Sequence, residues 1–107
     1  MEKVYGKLVR DKIPKIINES GKECIIEIMD DEEYEGELNK KLVEEVKEYI
    51  ESENIEEIAD ILEVIYSILE FKNISIEEAE KIRLEKREKR GGFERKIKLI
   101  KVLEVEN

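Results

Sequence analysis

The chain has 107 residues, of which 40% are apolar and 46% are charged, and its formal net charge is −9 at pH 7. This length suits one domain, residues 1–107, and the apolar content is too high for a disordered polyelectrolyte. The negative charge argues against a nucleic-acid polymer as the main partner, because phosphate backbones are bound by basic surfaces.

The absence of histidine restricts the chemistry further. The sequence has no His and a single cysteine, Cys24. Nucleophiles activated by His and zinc sites built on His are excluded, which leaves carboxylates, Lys, Arg and Tyr as reactive groups. A metal site made from these side chains has oxygen ligands only, which favours Mg²⁺ or Mn²⁺.

The sequence indicates a soluble protein of a reducing compartment. One cysteine forms no intramolecular disulfide. No stretch approaches the roughly 20 apolar residues that cross a bilayer, and the first residues lack the apolar core of a secretory signal. We therefore expect a cytoplasmic protein without a membrane partner.

The first thirty residues predict one short helix and one strand. Residues 4–19 open with a turn at Gly6 and continue as a helix that is broken or restarted at Pro14, because the residue before a proline disfavours helical geometry. Residues 23–30 are short, rich in isoleucine and bounded by charged residues, which is typical of a strand.

Two long helices follow, joined by a tight turn. The first is capped at Asp30 and runs to about residue 51, with apolar residues at helical spacing. Asn54 and Glu57 match the reciprocal capping pattern that starts the second, so the two helices should be antiparallel neighbours. Residues 55–71 are apolar over more than half of the helical surface, which predicts burial against a partner subunit.

The last third predicts a charged helix and a second strand. Ser75 and Glu78 form another capping pattern, and the helix runs to about Lys89 before two glycines. Residues 96–105 alternate loosely between apolar and polar and should pair with the first strand. The expected fold is mainly α, an antiparallel helical bundle completed by dimerisation, with a small accessory β-pairing of the terminal strands.

Five acidic residues lie at helical spacing on the two long helices. They form E-E-x-x-E, at Glu44, Glu45 and Glu48, and E-x-x-D, at Glu57 and Asp60. A spacing of three places each pair on neighbouring positions of one helix face, and antiparallel packing can bring the faces together. Glu45 and Glu48 should border the core without lying in it. A divalent cation is then the natural partner, although a solvated acidic surface would show the same spacing.

Glu57 is the least expected of these acids. It projects between Val64 and Ile68, on the apolar side of its helix. A carboxylate there needs either a metal ion or a Lys or Arg, because burying it without a partner costs several kcal/mol.

Two groups of basic residues are candidates for binding phosphates. One forms a stripe on the last helix, followed by an aromatic side chain that could stack, and comprises Arg83, Lys86, Arg87, Arg90 and Phe93. The other lies near the N-terminus and comprises Lys7, Arg10 and Lys12. Pairing with glutamates on an exposed helix surface is the alternative for each of them.

Several motifs together resemble one family. The paired acidic motifs, with KLVRDKIPKII at 7–17, DDEEY at 30–34 and KREKRGGF at 86–93, are similar to the MazG-like and phosphoribosyl-ATP pyrophosphohydrolase-like nucleotide pyrophosphatases. The resemblance spans nearly the whole chain. It implies an all-α homodimer or dimer of dimers that uses Mg²⁺ to hydrolyse a nucleoside triphosphate to a monophosphate and pyrophosphate.

The resemblance also implies roles for the acids. By position, the metal ligands would be Glu45, Glu48, Glu57 and Asp60, with Glu44 as a further acid. A carboxylate not fully used by the metal, Glu44 or Glu48, could act as the general base.

Two alternatives remain open at this point. Phosphoribosyl-ATP of histidine biosynthesis could replace an ordinary nucleoside triphosphate as the substrate, although the KLVRDKIP opening disfavours this. The chain could also be a non-catalytic helical dimerisation module whose acids are simply solvated.

Overall fold

The computed structural model describes residues 1–106, and this part of the chain is mainly helical. It contains α1 (Ile13–Glu19), α2 (Asp31–Ser52), α3 (Ile55–Phe71) and α4 (Ile76–Arg90). The chain divides into two compact units, Met1–Ile74 and a second that begins at Ser75. The assignment of one domain to residues 1–107 stays a prediction. None of the described helices combines the length and apolar character needed to cross a membrane.

The starts of α2 and α4 follow the sequence. Asp30 accepts a hydrogen bond from the Glu33 backbone N–H at 2.8 Å, and Ser75 accepts one from the Glu78 N–H at 3.1 Å. Each bond satisfies an N–H group that has no partner inside the helix. The two predicted N-caps are confirmed.

Pro14 begins a helix rather than breaking one. α1 starts at Ile13, so Pro14 lies in the first turn, where its missing N–H leaves no hydrogen bond unmade. Residues 4–12 are not helical, and the prediction of a helix on both sides of the proline is wrong.

The turn between α2 and α3 differs from the predicted capping pattern. Asn54 caps α3 by accepting from the Glu56 N–H at 3.0 Å, and its own N–H donates to Ser52 Oγ at 3.2 Å. The Glu57 carboxylate is therefore not used for reciprocal capping. It faces the acidic residues of α2 instead.

Neither predicted strand is formed within residues 1–106. Ile25 and Ile28 in the segment 23–30 are fully exposed or nearly so, and the apolar residues of 96–105 are about three-quarters exposed. β-Branched residues favour strands because they pack well against side chains of a neighbouring strand. Neither segment has such a neighbour here. The predicted β-pairing is not confirmed.

The hairpin of α2 and α3 is the framework of the first unit. The two helices pack against each other, as predicted, and a two-residue connection makes them antiparallel. Among the described residues only Leu38, Val64 and Glu45 are buried. The hairpin thus leaves most of its apolar side chains partly or fully exposed.

Candidate metal centre

The α2–α3 hairpin brings all five predicted acids together. They form two overlapping groups, Glu44 with Glu45 and Glu48, and Glu45 with Glu57 and Asp60. Within each group, one oxygen of every carboxylate lies within 4.8 Å of the others. Glu45 belongs to both groups, so we call these five residues the acidic cluster, with Glu45 at its centre.

Glu45 is buried although it is charged. Only 6% of the residue is exposed, and its Oε2 has no hydrogen-bond partner in the described part of the chain. The sequence pattern placed Glu45 at the border of the core, which is wrong, because α3 covers that edge of α2. A buried carboxylate oxygen without a partner is costly, so this oxygen is a candidate for binding a cation or a shared proton.

The electrostatic potential at the cluster favours a cation. Burial raises the pKa of Glu45, as do the charge of Glu48, a carboxyl–carboxylate hydrogen bond with Glu48 and the charge of Asp60, and Lys41 offsets part of this effect. Desolvation and the charges of Glu48 and Asp60 also raise the pKa of Glu57. A bound divalent cation would reverse both shifts, since it stabilises the charged carboxylates.

Three basic side chains already neutralise part of the cluster. Lys41 Nζ lies 3.7 Å from Glu45 Oε1, and Lys7 Nζ lies 3.5 Å from Glu44 Oε1. Arg10 Nη2 donates to Asp60 Oδ1 at 2.6 Å. Five carboxylates thus meet three cations, so the cluster has an excess of acidic groups. The oxygen donors, the Glu45 oxygen without a hydrogen-bond partner and this excess of acids fit Mg²⁺.

Arg10 should compete for Asp60 with any divalent ion that binds at the cluster. We expect Arg10→Gln to tighten Mn²⁺ binding, measured by electron paramagnetic resonance titration, by about threefold, the scale of a partly exposed ion pair. Lys7→Gln is the matched control. It also removes one positive charge from the N-terminal segment, but Lys7 pairs with Glu44 and not with Asp60. Equal or weaker binding in Arg10→Gln than in Lys7→Gln would show that Arg10 does not occupy a metal position.

The basic stripe of α4 forms a depression in the second unit. Arg83, Lys86, Arg87, Arg90 and Phe93 surround a space of about 550 Å³. The guanidinium groups of Arg83 and Arg87 are already paired, with Glu80 and Glu94 respectively.

Two basic side chains of this depression are not paired with a carboxylate in the described part of the chain. Within residues 1–106, Lys86 and Arg90 have no carboxylate within ion-pair distance, and Phe93 is 97% exposed. Lys12, the last basic candidate, is exposed just before α1. The structure therefore collects the predicted α4 residues on one surface, but leaves Lys12 apart from the acidic cluster in the described contacts.

Comparisons with known proteins add no assignment. No family model, curated protein or solved structure matches the chain. The MazG-like resemblance therefore stays a hypothesis that rests on the quoted motifs.

Sequence reasoning missed three residues around the cluster. Lys41 was recognisable in principle, because it lies four residues before Glu45 on the same helix face. Tyr34 and Phe71 pack their rings edge to face, with centroids 5.6 Å apart, and line the same space as Glu45 and Asp60. They are far apart in the sequence, so no local pattern connects them.

Proposed function

We propose that the chain is a Mg²⁺-dependent nucleoside triphosphate pyrophosphohydrolase, which cleaves between the α- and β-phosphates. The observation that carries this proposal is the buried Glu45 carboxylate, which has an unpartnered oxygen at the centre of two acidic groups. A solvated acidic surface would not need such a residue. The motif resemblance supplies the type of reaction.

Each acid then has a role. Glu45, Glu57 and Asp60 would hold the ion, with Glu48 completing the set from α2, and Mn²⁺ could replace Mg²⁺. When bound, the ion would neutralise phosphate charge and polarise the phosphoanhydride.

Other residues would accept the proton of the attacking water and bind the phosphates of the nucleotide. Glu44 and Glu48 are both half-buried and both lie outside the group formed by Glu45, Glu57 and Asp60, so either could act as the general base for the attacking water. Lys7 lies beside Glu44, where it can bind a phosphate oxygen without a large movement.

The active form is proposed to be a homodimer. On α3, Ile58, Leu62 and Ile65 form a stripe at helical spacing, and each is more than a third exposed. A second copy of the hairpin would cover this stripe with a surface of the same apolar character.

Metal binding should change how stability depends on pH. The pKa of Glu45 is raised above 4.5, so the folded protein holds more protons than the unfolded chain just above that pH, and the metal-free fold loses stability as pH rises. Mg²⁺ needs the deprotonated carboxylates and binds only the folded cluster. Mg²⁺ should therefore raise the melting temperature above its value in chelator, and this difference should become larger from about pH 5 to about pH 8. A melting temperature indifferent to Mg²⁺ and chelator throughout would argue against a metal site.

A product assay tests the proposed reaction. Nucleoside triphosphates are incubated with the protein and Mg²⁺, and inorganic phosphate is measured with and without added inorganic pyrophosphatase. Phosphate that appears only with pyrophosphatase identifies pyrophosphate as the product, as proposed. Phosphate without it would indicate γ-phosphate release, and inertness towards every nucleotide, phosphoribosyl-ATP included, would favour the dimerisation module.

A further inference from the structure

A cleft of about 500 Å³ lies within the first unit, between the N-terminal segment and the α2–α3 hairpin. Glu45 and Asp60 of the acidic cluster form part of its lining. The cleft has the size of a small-molecule site. A nucleotide whose phosphates reach the cluster would therefore place another of its parts in this space.

One side of the cleft is apolar and aromatic. The rings of Tyr34 and Phe71 meet at an angle of 67°, and Leu8 and Val64 also line the space. Val64 is buried, and both rings are partly covered. Flat aromatic ligands gain from such contacts, because ring faces and edges attract each other in addition to the burial of apolar area.

Other lining residues are acceptors of hydrogen bonds. Glu63, Glu70 and Asp11 contribute carboxylates, which accept hydrogen bonds but donate none when charged. Two of them act on Tyr34. Burial raises the pKa of the Tyr34 hydroxyl, and the negative charges of Glu70 and Asp11 raise it further. The cations of the lining, Lys41 and Arg10, are engaged with Glu45 and Asp60.

We propose that this cleft binds the base of the nucleotide and prefers bases with an exocyclic amino group: cytosine, guanine and adenine over uracil and hypoxanthine. An amino group donates to the carboxylates around Tyr34. Uracil turns the lone pairs of a carbonyl oxygen towards this negative charge in place of the amino group of cytosine, and hypoxanthine has only a hydrogen atom where guanine has its 2-amino group. This inference rests on the proposed function for the phosphates, but the base preference is measurable without hydrolysis.

Binding of monophosphates tests the preference. The dissociation constants of CMP and UMP, and of GMP and IMP, are measured by calorimetry in Mg²⁺. GMP and IMP differ only in the 2-amino group. We expect CMP and GMP to bind about tenfold more tightly than their partners, the scale of one hydrogen bond to a charged group.

Two variants locate the effect. Glu70→Gln presents either an acceptor or a donor, so both preferences should fall to about threefold or less. Glu51→Gln is the control, because Glu51 is an exposed glutamate of α2 that does not line the cleft. Its preferences should equal those of the wild type.

The outcomes separate the two proposals. Equal binding of CMP and UMP, and of GMP and IMP, overturns the base preference even if triphosphates are hydrolysed. A preference that Glu70→Gln leaves unchanged also overturns it, because the selectivity then arises elsewhere. A preference in a protein that hydrolyses no triphosphate supports the cleft as a base site and rejects the proposed reaction.

Discussion

Glu57→Gln should lower Mg²⁺-dependent pyrophosphohydrolysis by about 100-fold or more, since it removes one charged ligand while keeping the shape of the side chain. The fold should survive, because the change relieves repulsion with Glu48 and Asp60. Product formation and thermal melts in Mg²⁺ and in chelator measure the two effects. The melting temperature of the variant should respond to Mg²⁺ less than that of the wild type.

The structure favours this outcome over a structural role for Glu57. In the described part of the chain, no Lys or Arg lies within ion-pair distance of Glu57, so the substitution leaves no cation without a partner. Glu56→Gln is the matched control, an exposed neighbour that is not in the acidic cluster. If Glu57→Gln were as active as Glu56→Gln, or strongly destabilised in chelator, the ligand role would be rejected.

Leu62→Glu should convert a dimer into a monomer. Leu62 is 43% exposed and lies in the centre of the apolar stripe of α3, so the isolated chain can tolerate a charge there while a dimer interface cannot. We expect the dimer dissociation constant to rise by about 100-fold or more, with a lower melting temperature, because the hairpin buries so little by itself. Sedimentation velocity at micromolar concentration reports the change.

The same substitution on another helix is the control. Leu84 of α4 is 52% exposed, and Leu84→Glu should leave the dimer intact. A wild-type protein that sediments as a stable, folded monomer would contradict the dimer. Dissociation by Leu84→Glu alone would place the interface on α4 instead.

Local rules predicted α2, α3 and α4 well, but not the start of α1. The caps at Asp30 and Ser75 depend on hydrogen bonds within three residues, and the pattern of α2 and α3 depends on spacing along one helix. Such signals are contained in the sequence itself. The segments 23–30 and 96–105 have strand composition, but a strand needs a neighbouring strand, which composition does not provide.

The sequence predicted which residues form the acidic cluster, but not the burial of Glu45 or the contacts around it. Spacing identified its five acids, yet it placed Glu45 at the border of the core, because burial depends on how α3 crosses α2. The Arg10–Asp60 contact joins residues fifty positions apart, and the cleft with Tyr34 and Phe71 depends on the same packing. Contacts of this kind come from tertiary structure, which no helical periodicity specifies.

Anomalous diffraction at the manganese edge is the most direct test of the proposed metal centre, using crystals grown with Mn²⁺ and an α,β-imido nucleotide that resists cleavage. We expect a manganese peak bonded to Glu45, Glu57 and Asp60, with Arg10 moved away from Asp60. A cluster without a peak, with Arg10 still bound to Asp60 and the nucleotide elsewhere, would contradict the account.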